Sequence, residues 1–431
     1  MRLLRLILFL TIIHTAAVIN ATKLTASLVT CSPGPEIYEL YGHEAIRIQG
    51  IDDNGLPFDS VWNYGVFDFN RPNFIYRFVK GETDYMLAGY PFEWFVEDYR
   101  RRGSRVVEQP LNLSDTQVAR LRKMLQTEAL PQNCTYRYNY ILDNCATRVA
   151  DRVSDVTGDS ISVKAHPRFS SFREGMRFYN RNYPWYQFGI DLVLGPGLDN
   201  KDYNWHSERY LPLELNRIMS QASFYDGRPV VLPENVILNG EGDMTLPPTP
   251  FWQSPMAATL LLLAISIVIA LCSFRKGKIL YWWWGIFYTL LGLPGCVIFF
   301  LYFFSVHSAT TPNLMILWLN PLQLLVPCLV WWRKGRPAVG GLMWLNMIVA
   351  IFLLVAWPFQ SQSANPAIFP LLGADIILAA TYAILQLRGS YNNIESEKGK
   401  LSDSPLKKTL KKNGVKPTQR RKNTTSGTRR K

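Results

Sequence analysis

The sequence predicts an exported domain of the α+β class followed by an all-α membrane domain of five spans. Three observations predict it. Up to about residue 250, strand-like segments separated by turn residues alternate with helices announced by capping residues. After that, five apolar stretches of lipid-crossing length follow one another. The short connections between those stretches alternate between basic and uncharged.

Arg2 and Arg5 precede the apolar run Leu6 to Ile13, and small residues follow at Ala16, Ala17 and Ala21. This is the pattern of a secretory signal over residues 1–21, cleaved after Ala21, or of an N-terminal anchor if uncleaved. Residues 22–250 are then exported. Glu44–Ile51 reads as a strand, Asp52-Asp-Asn-Gly55 as a turn and Val61–Phe67 as a second strand. On the first strand His43, Ala45 and Arg47 share a face, and Ile46 and Ile48 point into a core. Ser114-Asp-Thr-Gln117 is a capping box ahead of a helix that carries Val118, Leu121 and Leu125. Asn144 or Asp143 caps the next helix; its Ala146, Val149, Ala150 and Val153 form one stripe, and Gly158 stops it. The aromatic-rich stretch 160–248 has few clear elements and is expected to cover the domain face nearest the membrane.

The membrane domain, 251–388, contains Met256–Phe274, Leu280–Phe304, Leu314–Trp332, Val339–Trp357 and Ile368–Leu387. Each approaches the ~20 residues that cross a bilayer. Arg275-Lys-Gly-Lys278 and Arg333-Lys-Gly-Arg336 are basic, whereas Ser305–Pro312 and Gln360–Pro366 carry no Lys or Arg. The positive-inside rule makes the basic loops and the C-terminus cytoplasmic, and an odd number of spans leaves residues 22–250 outside. From Arg388 onward the chain carries +11 of its net charge of +13. The tail 389–431 is therefore expected to be disordered and drawn to anionic headgroups. The remainder is near neutral, so no nucleic-acid partner is expected.

Of the six cysteines, Cys272, Cys296 and Cys328 lie in lipid-length segments and Cys31, Cys134 and Cys145 in the exported part. Three is odd, so one thiol there stays free or pairs with another chain; the spacing does not establish a Cys31–Cys134 disulfide. Cys145 opens a helix, where unpaired N–H groups and the dipole favour a thiolate; a small buried residue packing the helix start is the plainer reading. His43 is the candidate base. His166 and His206 are its rivals, in loop-like sequence. Asn63 is the candidate third group that would orient the imidazole, with Tyr64 and Asp68 on the same segment. No second histidine follows His43-Glu44 at zinc spacing, so neither metal nor cofactor is expected. Arg47, Arg77, Lys80 and Arg100-Arg-Arg102 are either headgroup ligands or solvated surface.

His43-Glu-Ala45 on a strand and Asn144-Cys145 at a helix start resemble the circularly permuted papain-like fold of lecithin–retinol acyltransferase and, more distantly, NlpC-type enzymes. A fuller match runs through Cys31-Ser-Pro-Gly34, Tyr41-Gly-His-Glu-Ala-Ile-Arg47, Asn63-Tyr-Gly-Val-Phe-Asp68 and Tyr138-Asn-Tyr-Ile-Leu-Asp-Asn-Cys-Ala-Thr-Arg148. It continues through Phe188-Gly-Ile-Asp-Leu-Val-Leu-Gly195 and Leu211-Pro212, and resembles the Lnb-type lipoprotein N-acyltransferases over roughly residues 25–390. One departure is Glu44, where many relatives carry a hydroxyl residue after the histidine. The resemblance implies a cysteine–histidine acyltransferase in a bacterial inner membrane, its catalytic domain in the periplasm. Cys145 would be the nucleophile and His43 the base. The acyl donor would be a membrane phospholipid, and the acceptor the α-amino group of a diacylglyceryl-cysteine lipoprotein. The residues by themselves also fit an NlpC-type peptidase or amidase acting on peptidoglycan, a phospholipase, or a non-catalytic membrane sensor.

Overall fold

A computed structural model describes residues 24–402 except 53–54, 159–160, 201 and 242–244, and beyond Gly389 only the backbone. The signal segment, the Asp53-Asn54 part of the predicted turn and the tail from Asp403 lie outside the described residues.

The N-terminal part begins with β1 (Leu24–Cys31), β2 (His43–Ile51) and β3 (Pro57–Val66), then α1 (Phe74–Lys80), β4 (Asp84–Pro91), α2 (Phe92–Arg102) and β5 (Val106–Pro110). Next come α3 (Asp115–Glu128), β6 (Thr135–Arg137), α4 (Cys145–Thr157) and β7 (Ile161–Val163). The stretch with few predicted elements holds α5 (Phe172–Tyr179), α6 (Pro184–Val193), α7 (Trp205–Glu208), α8 (Pro212–Ser220), β8 (Ala222–Phe224) and β9 (Asn235–Leu238). These helices run ten residues or fewer, too short for a hydrophobic period to stand out. Their starts are nonetheless marked: Ser171 and Asn204 cap α5 and α7, and Pro184 and Pro212 open α6 and α8.

The sheet has the order β6-β4-β3-β2-β1-β5-β9, with every pairing antiparallel. The strand period divides its residues between two cores. Leu28, Ile46, Ile48 and Tyr64 face α3 and α4, packing against Leu121, Leu125, Val149 and Val153. Val29, Cys31, Ala45 and Val61 face α2, against Phe92, Phe95 and Tyr99. The predicted split of β2 between Ala45 and the two isoleucines is thus observed. The predicted capping box of Ser114 with Gln117 forms, and of the two candidate caps for α4 it is Asn144 that serves, in a second box with Thr147. All six cysteines are free.

The C-terminal part is a helical bundle: α9 (Pro255–Lys276), α10 (Tyr281–Phe303), α11 (Leu325–Leu329), α12 (Arg336–Ala356) and α13 (Ile368–Ser402). Among the described residues, α9, α10, α12 and α13 are each long and apolar enough to cross a membrane. The third predicted span differs. Leu314–Leu317 and Pro321–Leu324 are 3-10 turns, and only Leu325–Leu329 is α-helical. Pro312, Pro321 and Pro327 interrupt the N–H ladder, so apolar length alone overstated the helix. The segment still retraces α10 in the opposite direction, with Asn320, Leu324 and Trp331 packed over Gly295, Gly292 and Gly285. Irregular backbone at such depth needs internal partners. Asn320 Nδ2 donates to the carbonyls of Ile316 and Leu317, Gln323 Nε2 donates to Trp318 O at 2.7 Å, and the Gln323 and Asn346 amides bond each other.

The tail also departs from expectation. α13 continues through Gly389 to Ser402, so the predicted disorder does not begin at residue 389. A single Gly costs a helix only about 1 kcal/mol, and no proline follows until Pro405.

The two parts are joined through α6 and the loops that begin after α10 and α12. Phe188 and Leu192 pack into the bundle core. Asn313 Nδ2 donates to Leu192 O at 2.9 Å and Gly195 N to Ala309 O at 2.8 Å. The basic groups lie at the opposite end of the bundle, where Arg388 covers Phe274 and Arg336 covers Tyr281. The stretch after residue 160 does cover the face that meets the bundle, as expected.

Candidate active site

The loop Tyr138–Asp143 is a tight turn that delivers Cys145. Asn139 and Asp143 exchange both backbone bonds, at 3.0 and 2.9 Å, and Asn139 Oδ1 accepts from the Ile141 and Leu142 amides. Asp143 holds Arg148 through two bonds, at 2.6 and 2.8 Å. That leaves the cap to Asn144, whose Oδ1 accepts from Thr147 N at 2.9 Å. Asn144 Nδ2 donates to the carbonyls of Tyr140 and Tyr210, at 2.9 and 2.8 Å, pinning the helix start to the segment ahead of α8. Replacing Asn144 with Ala is expected to cost about 1–3 kcal/mol: the cap is lost and two carbonyls lose a donor. Asn144→Asp keeps the cap acceptor but loses both donors and sets a carboxylate oxygen against the two carbonyls, so it should recover none of that loss. Thermal melts of the three proteins measure the order.

With Asn144 satisfying the N3 amide, the first N–H groups of α4 are left for the sulfur. The Cys145 and Ala146 amides donate toward the thiol, as does the Glu44 amide from β2. Gly65, at a bulge of β3 with φ 87°, leaves the other side bare; a Cβ there would lie 3.8 Å from the Cys145 Cβ. Cys145 is 8% exposed, and burial outweighs the three donors and pushes its thiol up to about 11.

His43 is the first residue of β2, paired across the sheet with Cys31. Its ring lies on the α2 side, 6.4 Å from the rings of both Phe95 and Tyr99. Nε2 meets Asn63 Oδ1 at 2.6 Å, and Asn63 Nδ2 donates to Tyr90 Oη at 2.8 Å. With that amide orientation Nε2 carries the hydrogen and Nδ1 the lone pair. Burial lowers the imidazole from 6.5 to about 4, against the opposing pull of the Asn63 bond. His43 and Cys145 thus reach the same end of β2 from its two faces, one as its first residue and the other against the next amide. His166 and His206 are elsewhere, His206 on α7 and His166 in the loop ahead of α5.

Glu44 is fully buried on the Cys145 side. One of its oxygens accepts from Thr30 Oγ1 at 2.9 Å, and the other has no partner among the described residues. Burial holds its carboxyl well above the usual range, and the neighbouring thiol adds to the effect. Sequence reasoning missed Tyr90, Phe95, Tyr99, and the Glu44 and Ala146 amides. Gly65 was the one available signal, as a glycine inside a strand pattern.

The basic residues read as headgroup ligands or solvated surface are engaged with carboxylates. Arg47 holds Asp59 and Glu108, Arg77 holds Asp84, Lys80 holds Glu82, Arg100 and Arg101 hold Glu97, and Arg102 holds Glu39 and Asp98. Among the described residues no cluster of His, Cys, Asp or Glu is arranged to hold a metal ion. The groups at this end of β2 are a thiol facing three amides and, on the other face, a neutral imidazole fixed by a side-chain amide; among the described residues no hydrogen bond joins the thiol to the imidazole. Such a set can run acyl transfer through sulfur.

Residues 14–174 match the Lnb N-terminal periplasmic domain, and residues 248–390 match the Lnb transmembrane domain. No curated protein and no solved structure matches the chain. With both domains present in order, the chain belongs to the Lnb family and is a membrane protein with a periplasmic domain.

Proposed function

We propose that the chain is a thiol-dependent lipoprotein N-acyltransferase of the bacterial inner membrane, with its C-terminus in the cytoplasm. Membership of the Lnb family supports a lipoprotein-modifying membrane enzyme. The observation that carries the finer reading is the 2.6 Å His43–Asn63 bond at the strand end where the Cys145 thiol meets the Glu44 amide. Cysteine, histidine and asparagine are the three residue types that papain-like enzymes combine. Cys145 attacks the ester carbonyl of a phospholipid while Nδ1 of His43 takes the thiol proton. The carbonyl oxygen becomes an oxyanion facing helix-start amides, the lysophospholipid alkoxide leaves with the proton from His43, and a thioester remains. The neutral α-amino group of a diacylglyceryl-cysteine lipoprotein then attacks the thioester. His43 accepts the amine proton, Cys145 leaves as thiolate and takes that proton back, and an amide is formed. Both substrates are lipids, which accounts for a catalytic domain bonded directly to a bundle.

Mass spectrometry of lipoprotein N-termini tests this, in cells lacking other N-acyltransferases. Cells with the unaltered chain should carry triacylated N-termini and cells with Cys145→Ala diacylated ones. Triacylation that persists in the Cys145→Ala cells would refute the transferase reading. An NlpC-type amidase or a sensor would leave acyl number untouched in both.

A further inference from the structure

Helix α1 contributes no buried residue to either core. Ile75 is 77% exposed and Phe69, just ahead of the helix, 58%; Tyr38, Tyr76 and Phe78 are exposed as well. Tyr38, Phe69 and Phe78 are joined into one patch through Phe67 and Phe74, and Ile75 and Tyr76 stand next to Phe74 on α1. The Phe67 ring centroid lies 4.6 Å from Phe69 and 5.8 Å from Phe74, and Tyr38 closes on Phe69 at 5.9 Å. A contiguous apolar surface of this kind marks a docking or membrane site.

Its position favours one occupant. Tyr76 touches Phe300 of the spanning helix α10, at 6.0 Å between rings. Val306 N donates to Lys80 O at 2.9 Å, Ser305 Oγ donates to Val79 O at 3.0 Å, and His307 Nε2 bonds Phe78 O at 2.8 Å. The patch therefore continues the exposed apolar face of α10, where Phe299, Phe303 and Phe304 emerge. At its other end it leads to the thiol. Phe67 packs on Tyr85 at 4.9 Å, Tyr85 stacks on Tyr138 at 4.1 Å, and Phe67 stands two residues from Gly65, which borders Cys145.

We propose that Tyr38, Phe69, Phe74 and Ile75 form a track for one fatty acyl chain of a glycerophospholipid in the adjoining leaflet, running from the end of α10 toward Cys145. The identity of the chain as the acyl donor rests on the transferase reading; its binding does not. Acyl chains are the apolar matter at the level of α10, and a surface joined to a lipid-facing helix meets them without leaving the bilayer.

The test uses full-length Cys145→Ala protein in phosphatidylethanolamine/phosphatidylglycerol nanodiscs with no lipoprotein present. A phosphatidylethanolamine with a diazirine in its acyl chain is photolysed, and labelled peptides are located by mass spectrometry. Label is expected within residues 67–78 as well as on the bundle. Phe69→Asp/Ile75→Asp should lower the label in 67–78 by roughly ten-fold or more and leave the bundle label unchanged. Both sites are exposed, so the melting temperature should hold. Absence of label in 67–78, label insensitive to the double substitution, or crosslinks joining this patch to a second copy of the chain would each overturn the track. Label here alongside Cys145-independent lipoprotein acylation would overturn the transferase reading and leave the track standing.

Discussion

Arg173→Met is expected to destabilise the protein by about 3–5 kcal/mol and to loosen the periplasmic domain from its bundle. Arg173 is 1% exposed. Its Nε bonds both oxygens of Asp199, at 2.9 and 3.0 Å, its Nη1 reaches Asp191 at 3.2 Å, and its Nη2 donates to the carbonyls of Leu194 and Gly195. The two aspartates carry the network into the bundle: Asp191 takes Asn365 Nδ2 at 3.0 Å, and Asp199 takes Ser363 N at 3.2 Å. Arg177 completes it, pairing with Asp191 and donating to Ala364 O. Removing the central guanidinium leaves Asp199 charged and without its cation, and that penalty exceeds the worth of any single bond lost. The detergent-solubilised variant should melt on the order of 10 °C lower, with faster proteolysis at 360–366. Arg173→Met in an Asp199→Asn background should cost clearly less, because no uncompensated charge remains. Equal costs in both backgrounds would remove electrostatics as the cause.

The candidate site was legible where its determinants are local. A capping asparagine fixes where α4 starts, and so places Cys145 in its first turn. The two-residue period of β2 and the turn after Ile51 bring Asn63 beside His43. What covers His43 was not legible, because nothing near it in the chain announces that Phe95 and Tyr99 of α2 close that face, or that Tyr90 of β4 holds Asn63. Those are choices of sheet order and helix placement. The Arg173 network was equally hidden, since its partners lie 18 to 26 residues away and join two parts of the chain. In the third membrane segment the error ran the other way: apolar length was read as a helix, while the prolines and the amides of Asn320 and Gln323 specify a broken path. The arginines and Lys80 were seen as cations. Glu97 and Asp98 stand at helical spacing from Arg100, Arg101 and Arg102, and Glu82 two residues from Lys80, so those pairs were open to local reading. Glu108 for Arg47 and Glu39 for Arg102, by contrast, come from distant registers.

Replacing His43 with Ala is expected to lower kcat for acyl transfer by about 10²–10⁴-fold, the range for losing a positioned base. The starting state matters to how this is measured. With the imidazole lowered to about 4 and the thiol pushed up to about 11, both groups rest neutral, with no preformed ion pair. The proton moves as sulfur attacks. Iodoacetamide labelling of Cys145 should therefore climb with pH through 7, 8 and 9, and His43→Ala should leave that climb nearly unchanged. A plateau below pH 7 would mean a standing thiolate–imidazolium pair and would sink this account. The acid limb of thioester formation, the half-reaction that involves no amine, should sit near pH 4, well below that of an ordinary histidine. Asn63→Asp should move it upward by about 1–3 units, because a carboxylate at Nε2 favours the cation. Stability responds to the same burial. Between pH 6.5 and 4 the unfolded chain binds a proton at His43 that the folded chain refuses, so stability is lost on acidification, by on the order of 3 kcal/mol across the window. Glu44, held neutral, acts with the opposite sign, losing stability as pH rises above 4.5. A Glu44→Gln background removes the opposing contribution, and adding His43→Ala there should reduce the acid slope that remains.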